Sequence, residues 1–161
     1  MLNFKTTQGL TLIELLLTIA ILGLILWFSL PLSSSFYQKI QLQVIENEIK
    51  SAIRFAKTQA LISGYPILLR TIDGSKGLTV CVDNMKHQCA PDDSTLQEWH
   101  WSYDGIDVDW SGFQSKQYLI FSADESKNAV NGYFSIKYKG RLVTKITLNR
   151  LGRVRVTNQF A

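Results

Sequence analysis

The sequence predicts an α+β protein in which a long N-terminal helix, first transmembrane and then amphipathic, packs on a small head of antiparallel β-strands. The apolar run from Leu15 to Leu32 has no charged residue and is long enough to cross a bilayer as a helix. From residue 42 onward, apolar residues recur at helical spacing. From residue 67 onward, short apolar segments alternate with glycine-containing turns, as expected of antiparallel strands.

The amphipathic helix is predicted over Ser33–Ser63, because Gly64 and Pro66 follow and end it. One face repeats small or apolar residues at three- and four-residue steps, and charged residues occupy much of the remainder. A free amphipathic helix is the alternative, but the strand-rich segment that follows at once needs a cover. The face predicted to pack on the head comprises Leu42, Ile45, Ile49, Ala52, Ile53, Ala56 and Ala60.

The segment after the helix contains eight predicted strands. The turn at 73–77 joins the first two into a hairpin, and Asp-Gly, Ser-Gly, Asn-Gly, Lys-Gly and Leu-Gly pairs separate later strands. Aromatics at Trp99, Trp101, Tyr103 and Trp110 suggest either a stacking surface or core, and core is favoured on alternating strands. The predicted strands are 67–72, 78–82, 96–102, 106–110, 118–121, 133–138, 142–148 and 153–156.

Cysteine and histidine usage favours a structural role over catalysis. Cys81 and Cys89 are predicted to form a disulfide, because a domain behind a membrane anchor would lie outside the cytoplasm. A metal site could be assembled from these cysteines with His87 and His100, but the spacing matches no standard zinc pattern. No Ser/His/Asp, Cys/His or paired-carboxylate arrangement stands out, so we predict neither enzymatic activity nor a cofactor.

Charge is distributed unevenly along the chain, whose net charge is +4. Residues 71–125 hold three basic and ten acidic residues, whereas residues 126–161 hold eight basic residues and no acidic one. Such asymmetry predicts an interaction surface, and a solvated basic face without a partner is the alternative.

One carboxylate, Glu14, lies near the start of the apolar run. A charged group in lipid is unfavourable unless it is paired, so Glu14 needs a partner of opposite sign. A free amine would be such a partner. An ordinary signal peptide with a stray glutamate is the alternative, but no A-x-A-like cleavage site follows Leu32.

A short polar leader ending in Gly9, followed by an apolar segment with Glu14 as its fifth residue, resembles the processing site of type IV prepilins. The resemblance implies a leader of residues 1–9, cleavage after Gly9 by a prepilin peptidase, and methylation of the Leu10 amine. It implies a transmembrane and assembly helix at 10–32, and Glu14 paired with a neighbouring subunit's amino terminus. The implied location is the inner membrane of a Gram-negative bacterium, with the head of residues 33–161 in the periplasm, and then the surface pilus.

The C-terminal stretch 148–156 resembles the last strand of the GspH/FimT family, minor pilins and pseudopilins whose helix packs on two small β-sheets. Its Gly-Arg-x-Arg sequence is most similar to FimT members, which bind DNA in natural transformation (competence). The resemblance therefore implies DNA binding by Arg153 and Arg155. The family's Phe-x-x-x-Gly turn is represented by Phe121, but Glu125 occupies the glycine position and leaves the loop conformation open.

The residues themselves support DNA binding, because strand alternation would place Arg153 and Arg155 on one face, where each can contact phosphate oxygens. Without a recognition helix, binding should be largely independent of base sequence. The alternative is a structural minor pilin or type II secretion pseudopilin that contacts only other pilins, with the arginines merely protecting an edge strand. Partner pilins and strand order stay open. The candidate DNA-binding residues are Arg153, Arg155, Arg150, Gly152, Lys145, Arg141, Lys139 and Lys137.

Overall fold

The computed structural model describes residues 11–29, 33–72, 76–84, 87–89 and 95–158. The chain divides into two compact units, residues 1–40 and 41–161, and the division falls within the second helix.

The first unit contains helix α1, Leu12–Ser29. Its start is a capping box: the Thr11 backbone N–H and hydroxyl each donate to Glu14 Oε2 at 2.9 Å. In the described part of the chain, no helix has both the length and the apolar character that crossing a membrane requires. The predicted cleavage site at Gly9 and Leu10, and residues 30–32 of the predicted assembly helix, lie outside the described residues.

Helix α2 spans Ser33–Ser63, as the sequence predicted. It ends where Gly64 adopts a positive φ of 71° and donates its N–H to the Ala60 carbonyl at 3.1 Å. All seven residues of the predicted packing face are buried in the core of the second unit. The helical spacing of apolar residues therefore identified the buried face correctly.

Among the described residues, eight strands form two four-stranded antiparallel sheets, which confirms the predicted fold class. One sheet has the order β3-β2-β1-β5, and the other has the order β4-β6-β7-β8. Observed boundaries differ from the predicted ones by at most two residues, and the last strand begins after Arg153. The strands are β1 Ile67–Ile72, β2 Gly77–Val82, β3 Thr95–His100, β4 Ile106–Gly112, β5 Tyr118–Phe121, β6 Gly132–Tyr138, β7 Arg141–Leu148 and β8 Val154–Asn158.

The buried face of α2 and the inner faces of both sheets share one hydrophobic core. Trp101 and Trp110 are buried in it, so the core interpretation of these aromatics is confirmed. Trp110 keeps its indole N–H satisfied by donating to the Ser115 carbonyl at 2.9 Å. Trp99 packs edge-on against Phe55 of α2, with ring centroids 5.9 Å apart.

Cys81 at the end of β2 forms the predicted disulfide with Cys89, with a Cα–Cα distance of 5.6 Å. Within the loop it closes, His87 adopts a positive φ of 54° and stacks on Tyr118 at 4.8 Å. His87 Nδ1 lies 3.0 Å from Asp83 Oδ2. Because both sulfur atoms are joined to each other, the alternative zinc site lacks its thiolate ligands.

The loop after Phe121, whose conformation the sequence left open, contains a short 3-10 helix at Glu125–Lys127. Asn128 is buried at its end, and its side-chain oxygen accepts the Ser122 N–H at 2.7 Å. This bond closes the loop without the family's glycine.

Candidate nucleic-acid interface

The Gly-Arg-x-Arg segment begins in the turn between β7 and β8. Gly152 has a positive φ of 71° and donates its N–H to the Asn149 carbonyl at 2.9 Å. The side-chain oxygen of Asn149 accepts the N–H groups of Leu151 at 3.1 Å and Arg153 at 2.8 Å. One asparagine therefore fixes the backbone on both sides of Gly152.

Three other parts of the head hold this turn in place. Lys57 of α2 donates to the Leu151 carbonyl at 2.9 Å, and Arg150 donates to the Ser126 carbonyl at 3.2 Å. A Cβ at Gly152 would lie 3.4 Å from the ring of Phe121. The turn is thus attached to α2, to β5 and to the 3-10 helix, and Arg150 has a structural bond as well as a charge.

Among the described strands, β8 lies at the edge of its sheet and pairs with β7. Val154 and Val156 line a cleft against α2, whereas Arg153 and Arg155 are exposed. Within the strand, Arg155 therefore lies on the face opposite Val154 and Val156, as alternation predicted, whereas Arg153 is exposed in the turn just before the strand.

The cleft between α2 and β8 has a volume of about 390 Å³ and is lined by three cationic side chains from the helix. Lys50, Arg54 and Lys57 are spaced at helical intervals and face the same strand. Lys50 is paired with Glu46 at 2.5 Å, whereas Arg54 is exposed. From the sequence, these residues belong only to the charged face of the helix. Their spacing was visible in the sequence, but their proximity to β8 depends on strand order.

The other candidate residues do not form one patch with the arginines. Lys139 and Arg141 lie at the β6–β7 turn, and the length of β7 separates them from the β7–β8 turn by about 23 Å. Lys137 is paired with Asp109 at 2.8 Å, and this hydrogen bond raises the pKa of the lysine. Lys145 lies over the Tyr133 ring, 3.8 Å from its centroid. Of these four, only Lys145 lies near β8, since β7 pairs directly with it.

The sheet that carries β8 is electrically polarised. Its opposite edge is β4, whose outward residues include Asp107 and Asp109. The two edges lie three strand spacings apart, or about 14 Å. The charge asymmetry seen in the sequence thus becomes an acidic edge and a basic edge of one sheet.

Comparison with known proteins agrees with this architecture. Residues 47–152 match the family described as "Type II transport protein GspH", and residues 4–30 match the "Prokaryotic N-terminal methylation motif". A search of curated protein sequences found no match.

Two crystal structures of the Pseudomonas aeruginosa (strain PAO1) type IV minor pilin FimU are similar in fold. The P21 form has a TM-score of 0.59 at 15% identity, covering 76% of this chain and 92% of FimU. The P65 form has a TM-score of 0.52 at 15% identity, covering 71% and 91%.

The chain belongs to the GspH family and has the type IV pilin fold. It is therefore a minor-pilin-like protein of the type IV pilus and type II secretion class, whose members are structural proteins rather than enzymes. Its N-terminal motif is that of a membrane-anchored pilus component.

Proposed function

We propose that this protein is a minor pilin that binds extracellular DNA for uptake in natural transformation, as FimT members do. The observation that carries the proposal is the basic edge strand. Arg155 on β8 and Arg153 just before it are exposed, and Arg54 and its lysine neighbours line the cleft between α2 and β8.

Phosphate contacts explain this arrangement better than base recognition. Guanidinium groups bind phosphate oxygens through paired hydrogen bonds. Arg153 and Arg155 belong to an edge strand and the turn before it, so neither lies on a helix that could enter a major groove. The proposed binding is therefore electrostatic, weakened by salt and largely independent of sequence.

The cationic residues can be ranked by their expected contribution to DNA binding. Arg153, Arg155 and Arg54 should contribute most, because their guanidinium groups are exposed along β8. Lys145 should contribute less, because its ammonium group contacts Tyr133. Lys137, Lys139 and Arg141 should contribute least, because Lys137 is paired with Asp109 and the other two lie at the far end of the sheet.

Fluorescence anisotropy with a labelled DNA duplex at constant salt tests this ranking in the full-length protein. Arg153→Gln with Arg155→Gln, and separately Arg54→Gln, should weaken binding. The matched control is Arg141→Gln, which removes the same charge from the other end of the sheet and should leave binding nearly unchanged. Equal effects of all these variants would mean that net charge alone drives binding.

A purely structural minor pilin or type II secretion pseudopilin is the second candidate. The interactions of Lys57 and Arg150 with backbone carbonyls favour it, because they show that part of the basic surface holds the fold together. If the wild-type protein does not bind duplex DNA, the proposed DNA-binding function is wrong and the purely structural function is supported.

We further propose that a prepilin peptidase cleaves between Gly9 and Leu10, that the Leu10 amine is methylated, and that Glu14 pairs with a neighbouring pilin during assembly. The described apolar side chains of α1 are exposed within the chain itself, as expected of a helix that contacts lipid or other pilins. The disulfide supports a head located in the periplasm and then on the cell-surface pilus. Major and minor pilins are the proposed protein partners.

A further inference from the structure

The outer face of the second sheet carries an aromatic cleft that extends from the end of β4 across β6 to β7, towards the basic edge. It has a volume of about 460 Å³, and it lies where β4 ends and β6 begins. Its largest lining side chains are Phe113, just beyond β4, and Tyr133 on β6. The other lining residues are Ser111, Gly112, Asn131, Gly132 and Thr147.

Phe113 is 91% exposed, although its backbone is fixed. Its N–H donates to the Asn131 carbonyl at 2.9 Å. Two residues after Phe113, the Ser115 carbonyl accepts a hydrogen bond from the indole N–H of Trp110. A fully exposed phenylalanine on an ordered turn contributes little to the core. Phe113 and Tyr133 both line the cleft, so together they offer an aromatic surface to a ligand.

The floor of the cleft is close-packed backbone. Gly112 and Gly132 lie directly opposite each other, and a Cβ at Gly132 would lie 2.6 Å from both the Gly112 Cα and the Trp110 ring. Side chains at these positions would collide, so both strands need glycine here. The buried indole of Trp110 thus supports the floor from the core side.

Strand register connects this cleft to the basic edge. Ser111 pairs with Tyr133, Tyr133 with Thr147, and Thr147 with Arg155. Directly paired residues lie on the same face, so a single row runs from the cleft to the arginine. Tyr133 and Arg155 are separated by two strand spacings, or about 10 Å. Lys145 flanks the row and contacts the Tyr133 ring.

We infer that this cleft binds an unpaired nucleobase of single-stranded DNA, by stacking on Phe113 and Tyr133, while Arg153 and Arg155 contact the phosphates of the same strand. An aromatic platform beside a row of cations is the arrangement that binds single strands without sequence preference. The inference rests on the proposed function for its phosphate contacts and adds a class of ligand to it.

The test compares three probes with the full-length protein at one salt concentration: an oligothymidine, an abasic oligonucleotide of equal length, and a duplex. The wild type should bind the oligothymidine roughly tenfold more tightly than the abasic strand, because only the former can stack. Phe113→Ala should remove this difference without changing affinity for the abasic strand or the duplex.

Two further substitutions of Phe113 separate stacking from hydrophobic contact. Phe113→Trp should retain the preference for oligothymidine, and Phe113→Leu should lose it. The matched control is Tyr65→Ala, which removes an aromatic side chain that is 65% exposed elsewhere on the head and should change nothing.

Failure of the inference can be distinguished from failure of the proposed function. Equal wild-type affinity for oligothymidine and the abasic strand overturns the inference alone. An affinity for oligothymidine that depends on Phe113 but is unaffected by Arg153→Gln with Arg155→Gln overturns the phosphate assignment instead. If Phe113→Ala weakens association with other pilins and leaves all three probes unaffected, the cleft is a protein contact and the inference is wrong.

Discussion

Replacing Gly152 by alanine should distort the turn that positions Arg153. Gly152 has a φ of +71°, a conformation that side chains of L-residues rarely adopt. The nearest atom to an added Cβ is the Phe121 ring at 3.4 Å, which is ordinary contact, so the backbone conformation rather than a collision sets the effect. We expect Gly152→Ala to lower the free energy of unfolding by about 1–2 kcal/mol. The melting temperature should fall by roughly 3–6 °C.

Gly140 in the β6–β7 turn provides a matched control. Its φ is +77°, and no atom lies within 4 Å of an added Cβ, so Gly140→Ala imposes the same backbone strain at the opposite end of the same sheet. Thermal unfolding of both full-length variants in detergent should give similar losses of stability. Only Gly152→Ala should weaken duplex binding in the anisotropy assay.

Two results would refute this reasoning. An unchanged melting temperature for Gly152→Ala, with a loss for Gly140→Ala, would show that the β7–β8 turn tolerates a side chain. Equal DNA affinity of the two variants would show that the turn does not position Arg153 for binding.

Three other predictions concern the disulfide, a half-buried carboxylate and the first helix. Replacing Cys81 and Cys89 by serine should destabilise the protein by about 2–3 kcal/mol at most, because the closed loop is short. The affinity for DNA should persist. An unchanged melting temperature would argue against a stabilising disulfide. Burial raises the pKa of Glu48, whose Oε2 has no hydrogen-bond partner among the described residues. The folded protein therefore favours the neutral carboxyl group over the charged one. Glu48→Gln should raise the melting temperature at pH 7, and this gain should disappear below the unfolded-state pKa of the carboxyl group, near 4.3. A gain that does not depend on pH would contradict this. Glu14→Gln should keep the helix cap but lose the proposed charge pair. Export should therefore continue while incorporation of the protein into filaments falls. Normal incorporation, measured in a pilus shear assay, would contradict the proposed assembly role of Glu14.

Local periodicity was sufficient to predict much of the fold. The buried face of α2 and the eight strands depend on residue spacing and turn composition, which are properties of short segments. The pairing of β1 with β5 and of β4 with β6 joins strands distant in sequence, and no turn between them specifies it. The spacing of apolar and turn residues therefore could not predict the strand order.

The strand order, which the sequence did not predict, determines which residues come together in the candidate site. Arg153 and Arg155 were identifiable because alternation and a short motif act within five residues. The proposed contribution of Arg54 follows only from the placement of β8 beside α2, and the pairing of Lys137 with Asp109 joins residues 28 positions apart. Phe113 carried no signal in the sequence, because an isolated phenylalanine is ordinarily assigned to the core.

The salt dependence of DNA binding tests the central claim most directly. Affinity of the full-length wild type and of the Arg153→Gln, Arg155→Gln double variant for a duplex would be measured over a series of salt concentrations. If each arginine neutralises one phosphate, the slope of log affinity against log salt should become shallower by roughly two units in the double variant. The same affinity and slope in both proteins would contradict DNA binding by the basic edge and leave the structural pilin role.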